Sequence, residues 1–384
     1  MSTVYLPVRI EFAPGRSAGV GDDLRGLGCN RVLVVTDPGV RAAGLLDGIL
    51  GSLREAGLSA VVFGDVVPDP DEECASRAAG VFRNEGCDGI LAVGGGSSID
   101  TAKAAGLLAT NPGPLLAYEG VNKVPNPLPP LAVIPTTCGT GSEVTNVTVI
   151  TDAHHYKTPI LSPYLIPKLA VLDPDLLRTL PPHLVASTGM DALTHAMESY
   201  TNRVQHWYAD ACAMQAMRMI ADAIRPATVN RDPDAIARML YASTLAGIAF
   251  TLSRLGLVHA MSHPVSGFAG VPHGLANAVL LPYVMAYNMV GNPQAYAAVA
   301  QALGVPDQGS AIRTAEAGVR EVMRMNRDLG IPDRFDGLGV TRDMFPDMIR
   351  DTFRSGNIPI NPRQVTEQDV ARLYEAALTG AAPV

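Results

Sequence analysis

Between residues 31 and 174 short apolar runs alternate with longer Ala- and Leu-rich stretches, and then the alternation stops. RVLVVTD, a helix-like stretch to Gly57, SAVVFGDV, a second helix to about Asn84 and GILAVGGG follow one another in a βαβαβ order. Strands that return parallel to one another need crossover helices, so this order predicts an open, Rossmann-like parallel sheet. LAVIPTT (131–137), NVTVIT (146–151) and KLAVLDP (168–174) are further strand candidates. After LRTLPPHLVA the chain reads as helices alone, broken at RDPD, GVPHG and GNPQ. Pro181 and Pro182 mark the boundary, giving an α/β domain over 1–180 and an all-α domain over 181–384, with a ligand cleft expected between them.

Length and composition agree with two packed domains. The 384 residues exceed the usual size of one core, 47% are hydrophobic and only 17% charged. A net charge of −8 with no block of like charge argues against nucleic acid or an anionic membrane as partner. The five cysteines are odd in number and widely spaced, and MSTVYLPVRIEF lacks a basic-then-apolar leader, so a reducing cytoplasm is expected. No apolar run is read as approaching the roughly 20 residues of a membrane span; NAVLLPYVMAYNMV is short and carries Pro282.

Three loops follow strands at the edge where nucleotides bind in open α/β sheets. In ILAVGGGSSIDTAKAAG the missing side chains of Gly94, Gly95 and Gly96, followed by Ser97, Ser98 and a strong helix, let backbone N–H groups approach a diphosphate. The run is neither GxGxxG nor a P-loop, and a tight turn without ligand would look similar. Asp37 ends RVLVVTD, where a carboxylate can accept from a ribose diol and repel a 2′-phosphate, which favours NAD over NADP. The usual fingerprint places that acid about 20 residues after the glycines, whereas here it precedes them. IPTTCGTGSEVT concentrates the hydroxyls of Thr136, Thr137, Thr140, Ser142 and Thr145. Its Cys138 has no base adjacent in sequence and is not read as a nucleophile.

The helical half holds a second constellation. HAMSHPVSGFAGVPHG places His259 and His263 one helical turn apart and His273 shortly after, and GMDALTHAMESY places Asp191 and His195 at the same i, i+4 spacing. A lone helical histidine is more often a core residue, but five such donors in one domain favour a divalent metal, Fe(II) or Zn(II) by ligand type. Ala260 replaces the glutamate of HExxH, so a metal-dependent hydrolase is disfavoured. His154, His155 and His206 read as surface residues or as neighbours of the ligands, not ligands themselves.

Together GGGSSIDTAK, PTTCGTGSEVT, GMDALTHAMESY and HAMSHPVSGFAGVPHG, with the late NPR at Asn361–Arg363, resemble the iron-containing (group III) alcohol dehydrogenases along essentially the whole chain. The resemblance implies a dehydroquinate synthase-like architecture, an NAD-binding α/β domain and a helical catalytic domain. It implies metal ligands Asp191, His195, His259 and His273, with His263 a non-ligand that moves a proton. Dinucleotide contacts are implied at Asp37, Gly94 to Ser98, Asp100, Thr136, Thr137, Thr140, Ser142, Val149, Lys157 and Leu180. Cys138 stands where many members carry Ala, which suggests thiol sensitivity. Val147, Phe250 and Phe268 lie near the motifs and are candidates for the substrate pocket. The expected reaction is reversible hydride transfer between a small primary alcohol, diol or hydroxyacid and NAD, with a metal as Lewis acid. The rival with the same cofactors is a lyase or synthase that uses NAD transiently. A homodimer or larger homo-oligomer is the assembly such a family implies.

Overall fold

A computed structural model describes residues 3–382. The chain forms two compact units, Tyr5–Leu180 and a second running from Pro181 onward that also takes in Val4.

In the first unit nine strands are β1 (Arg9–Phe12), β2 (Arg31–Val35), β3 (Ser59–Phe63), β4 (Gly89–Gly94), β5 (Gly120–Val121), β6 (Leu131–Pro135), β7 (Val147–Thr151), β8 (Lys157–Leu161) and β9 (Leu169–Leu172). Six of them form one sheet in the order β1-β9-β6-β4-β2-β3, with every pairing parallel. Its helices are α1 (Val20–Gly26), α2 (Pro38–Ala42), α3 (Leu46–Glu55), α4 (Glu72–Asn84) and α5 (Gly96–Thr110).

The strand runs are continuously apolar because both faces of the sheet are covered. Alternate residues of each strand go to opposite cores. Val32, Val34, Leu91 and Val93 pack with Leu24, Ile49 and Leu53 on one face. Leu33, Val35, Ile90 and Ala92 pack with Ala78, Phe82, Ile99 and Ala102 on the other.

Four strands differ from the sequence reading, among them the two-residue β5, which is too short to leave a pattern. NVTVIT forms β7, but β7 joins β5 and β8 in a separate three-stranded sheet and runs antiparallel to β8. Its buried and half-buried positions alternate, as expected for a strand with only one face fully covered. β1, which completes the large sheet beside β9, and β8 carried no signal, because RIEF and KTPIL mix charge and proline with few apolar residues.

The second unit is helical: α6 (Pro182–Thr201), α7 (Trp207–Arg225), α8 (Pro233–Ser253), α9 (Leu257–Ala269), α10 (His273–Asn288), α11 (Pro293–Ala302), α12 (Ala311–Asp328), α13 (Phe345–Arg354) and α14 (Glu367–Thr379). α6 is buried along almost its whole length, from Val185 to Thr201, and packs against α7, α8 and α10. α8 corrects one expectation. Its 21 residues include an 18-residue stretch of mean hydropathy 1.4, long and apolar enough to span a bilayer, yet 61% of that stretch is buried within the protein. Its apolarity is that of a core helix with neighbours on most sides.

Candidate metal and dinucleotide sites

Asp191 and His195 stand one turn apart on the buried face of α6. His259 comes from the first turn of α9, and His273 is the first residue of α10. The Nε2 atoms of His195, His259 and His273 lie 3.7, 3.6 and 3.7 Å from the same Oδ1 of Asp191. The ligand atoms of Asp191, His195 and His259 are all within 4.8 Å of one another. A tetrahedral ion held at about 2.0–2.2 Å spaces its ligand atoms by about 3.3–3.6 Å, so the three distances fit such an ion.

Local packing makes this convergence possible. A Cβ on Gly274 would come within 2.5 Å of the Ser187 carbonyl oxygen, so only glycine lets the start of α10 press against the turn of α6 that carries Asp191. Burial pushes the Asp191 carboxyl up, but the imidazoles of His195, His259 and His273 outweigh it and hold the group far below the usual carboxylate range. Burial likewise pushes His259 down, and the carboxylates of Asp191 and Glu198 more than reverse this, leaving it well above an ordinary histidine.

His263 is half-buried beside the cluster, its ring centroid 6.0 Å from that of His259 and 5.2 Å from that of His273. It lies outside the Asp191–His195–His259 group, so the two histidines of HAMSH occupy different positions. Phe250 of α8 lies against His195, with centroids 4.6 Å apart. Phe268 is half-buried on α9. Val147 belongs to the first unit, where its carbonyl accepts from Lys103. His154 and His155 are exposed as expected. His206 is neither on the surface nor in the cluster. It is buried at the start of α7, where Nδ1 accepts from Ala209 N and Nε2 donates to the Thr3 carbonyl.

Two residues of the cluster escaped the sequence reading. Glu198 accepts from His259 Nδ1 at 2.6 Å and from Val258 N at 2.5 Å. Asn277 Nδ2 donates to Asp191 Oδ1 at 2.6 Å and lies 3.1 Å from Nε2 of both His259 and His273. Spacing could have found both. Glu198 is three residues after His195 and seven after Asp191, and Asn277 is four after His273, each on the ligand face of its helix.

In the first unit the chain passes from β2 outward to β3 and then back across β2 to β4. That makes the gap between β2 and β4 the switch point, where open α/β sheets bind ligands beyond the strand ends. Asp37 follows β2 and the glycine turn follows β4. Asp37 Oδ1 accepts from Val40 N at 3.0 Å, capping α2, and Oδ2 accepts from Ser98 Oγ at 3.1 Å. The acid precedes the glycines in sequence because they end different strands that are neighbours in space.

Gly94 has φ of +155°, and a Cβ there would meet Ser98 Oγ at 2.4 Å. A Cβ on Gly96 would meet Thr140 Cγ2 at 2.6 Å, so the glycine turn packs directly on the threonine loop. α5 begins at Gly96 with no side chain capping it, whereas α2 and α4 are capped by Asp37 and Asp71. Its first N–H groups lack intrahelical partners, as at any helix start. Thr136 is buried at the end of β6, with Thr137 in the loop beyond; Ser97 is half-buried on α5.

Other predicted contacts are engaged with one another. Asp100 accepts from Ser142 Oγ at 2.7 Å and from Val149 N at 2.9 Å. Lys157 pairs with Asp69 and donates to Thr151. Leu180 closes a turn onto Leu177. Cys138 is completely buried, which shields the thiol from oxidants in this conformation. Sequence reading also passed over Lys103, a fully buried lysine whose Nζ donates to Ser142 Oγ, Thr145 O and Oγ1, and Val147 O.

A divalent-metal donor set on one unit and a nucleotide-type switch point on the other describe a metal- and dinucleotide-dependent oxidoreductase. Residues 7–174 match the iron-containing alcohol dehydrogenase family and residues 185–378 match the C-terminal part of the Fe-containing alcohol dehydrogenase family. The chain is 41% identical to the 1,3-propanediol dehydrogenase of Citrobacter freundii over 95% of this chain and 96% of that one. It is 37% identical to the NAD-dependent methanol dehydrogenase of Bacillus methanolicus, over 98% and 100%. A solved 1,3-propanediol oxidoreductase superposes with a TM-score of 0.95 at 40% identity, covering 98% of this chain and 100% of that one. The chain therefore belongs to the iron-containing alcohol dehydrogenase family. It is an enzyme of reversible alcohol–aldehyde oxidoreduction, with NAD and Fe(II) as its cofactors.

Proposed function

We propose that the enzyme oxidises a small primary alcohol, diol or hydroxyacid to the aldehyde, and reduces the aldehyde in reverse, with NAD preferred over NADP. The observation that carries this reading is the convergence of three imidazole nitrogens on one carboxylate oxygen at 3.6–3.7 Å in a buried cluster. Asp191, His195, His259 and His273 hold the ion, with Zn(II) the alternative to Fe(II) for this donor set. When bound, the ion supplies Lewis-acid polarisation of the substrate oxygen. His263 takes the alcohol proton and passes it towards solvent, a task suited to an imidazole beside the cluster and only half-buried. Phe250, packed on His195, gives the substrate an apolar wall.

Gly94, Gly95, Gly96, Ser97 and Ser98, with the uncapped start of α5, receive the diphosphate, and Asp37 accepts from the ribose. Thr136, Thr137 and Thr140 offer hydroxyls to the same cofactor. Asp100, Ser142, Val149 and Lys157 hold the loops through their mutual bonds, and Leu180 ends the unit. The five cysteines, none of them in a disulfide, fit a reducing cytoplasm. Trp207, 85% exposed, and Tyr208 offer apolar surface that a second copy of the chain could cover, in keeping with a homo-oligomer.

Anaerobically purified protein should contain about one divalent ion per chain and form NADH steadily with a member of a panel of short alcohols, diols and hydroxyacids. Metal-bearing protein that turns over NAD without net NADH would overturn the dehydrogenase reading in favour of the lyase. Asp37→Gly should raise the NADP/NAD ratio of kcat/KM by about tenfold, with a loss of only about 0.3 kcal/mol in stability, because glycine is itself tolerated at the α2 N-cap. An unchanged cofactor ratio in a folded variant would refute the ribose role.

A further inference from the structure

Glu198 touches both a ligand histidine, His259, and the start of the helix that carries it. It is 5% exposed. Its Oε2 accepts from His259 Nδ1 at 2.6 Å, and its Oε1 accepts from Val258 N at 2.5 Å. Val258 is the second residue of α9, whose N-cap Gly256 supplies no side chain. The carboxylate of α6 thus serves as the cap of α9, and an anion at a helix N-terminus is favoured by the unpaired N–H groups there. A Cβ on Gly256 would come within 2.9 Å of Glu198 Oε1, so the approach loop needs a glycine at this point. Asn202, the residue that ends α6 four positions after Glu198, donates to the carbonyls of Ser253 and Arg254 and fixes the same loop.

We propose that Glu198 is a positioning residue for the metal, holding the proton of His259 on Nδ1 and the ring in the rotation that turns Nε2 towards Asp191. The proposal rests on the reading that this cluster holds a divalent ion. An imidazole whose Nδ1–H is engaged by a carboxylate keeps its lone pair on Nε2, and partners of this kind fix ligand orientation at metal sites. Both oxygens of Glu198 are used, one on the ring and one on the backbone of the residue before it. Ring and helix end are therefore referred to a single rigid group on α6, the helix that also carries Asp191 and His195. A neutral amide has one acceptor oxygen and cannot satisfy both donors. In Glu198→Gln either Val258 N–H or His259 Nδ1–H faces an NH2 group, and the ring can escape by rotating or by moving its proton to Nε2.

The test is Zn(II) and Co(II) affinity of the full chain by competition with a chelator, comparing wild type, Glu198→Gln and His259→Ala. Glu198→Gln should bind about 10- to 100-fold more weakly than wild type and show altered Co(II) visible bands. A role confined to capping α9 would lower the melting temperature and leave the metal affinity and the Co(II) spectrum unchanged. Affinity within about twofold of wild type in a folded Glu198→Gln protein overturns the proposal. If that variant does not fold, proton NMR of the Zn(II)-loaded wild type decides. A slowly exchanging downfield imidazole proton that disappears in His259→Ala supports the proposal, and its absence from wild type overturns it. Equal metal binding by wild type and His259→Ala removes the metal reading itself, and this proposal with it.

Discussion

His259→Ala should lose its divalent metal and at least about a thousandfold in kcat/KM, about 4 kcal/mol of transition-state stabilisation, whereas His263→Ala should keep the metal and lose rate alone. The two residues are one turn apart on α9, yet their surroundings differ. His259 is 1% exposed, lies between Asp191 and Glu198, and points Nε2 at the carboxylate oxygen that His195 and His273 also approach. His263 is half-buried, with its ring beside those of His259 and His273. Removing a general acid–base group typically costs about 10²- to 10⁴-fold in rate, so the His263 variant should be slow, with a changed pH profile of kcat. Metal content of anaerobically purified variants, read beside steady-state rates, separates the two. Equal metal loss in both would mean that His263 is a ligand. His259→Ala also leaves Asp191 and Glu198 without their shared imidazole, so circular dichroism must show that the variant is folded before its metal content is interpreted.

Lys103→Met should destabilise the first unit by about 3–5 kcal/mol, the range for removing one partner of a buried charge cluster. At about 2–4 °C per kcal/mol for a unit of this size, the melting temperature should fall by about 10 °C. Lys103 is inaccessible to solvent and its three ammonium protons are shared among four acceptors on the loop from Ser142 to Val147. Met matches the length of the chain but leaves those oxygens without the ammonium donor, and the buried Asp100 without its neighbouring positive charge. Burial pushes the Lys103 ammonium down to about 8, against the opposing pull of Asp100 and Glu143. Because the folded value lies below that of the unfolded chain, the unfolded state holds more protons between about pH 8 and 10.5. The stability that Lys103 contributes is therefore fullest above the unfolded value and is lost as pH falls through the folded one. The gap between wild type and Lys103→Met should widen from pH 7.5 to 9.5 in urea unfolding, and a gap that narrows would refute a buried lysine with a lowered pKa. The variant should also show a raised KM for NAD, because the loop it loosens adjoins the glycine turn.

Much of this was legible in the sequence because the signals were periodic. Fully apolar runs marked β2, β4, β6 and β9, and the i, i+4 pairs of α6 and α9 marked Asp191, His195 and His259. What stayed hidden depended on contact between distant segments. The bond between Asp37 and Ser98 follows from the adjacency of β2 and β4, which linear order does not reveal. Asp100, Ser142 and Val149 read as three separate cofactor contacts and turn out to be bonded to each other. Glu198 was not singled out by the sequence reading. Its role shows only when α9 is brought against α6, although its spacing from His195 was visible all along. His206 was misplaced because a capping histidine and a surface histidine have the same local sequence.

The register of β1 has a consequence for how the first unit is made. Arg9–Phe12 pairs with Leu169–Leu172, so the first strand synthesised must wait for the last strand of its sheet before it has a partner. Contacts so distant along the chain form slowly, because a long loop must close before they repay its entropy. During that interval β9 is an unpaired sheet edge of four buried-type residues, LAVL, open to any other strand in its vicinity. The waiting strand, RIEF, carries Arg9 and Glu11, charges that discourage it from pairing elsewhere. The outer strand of the sheet is thus a late closing step in folding, and the charges that hid it from sequence reading protect it until that step arrives.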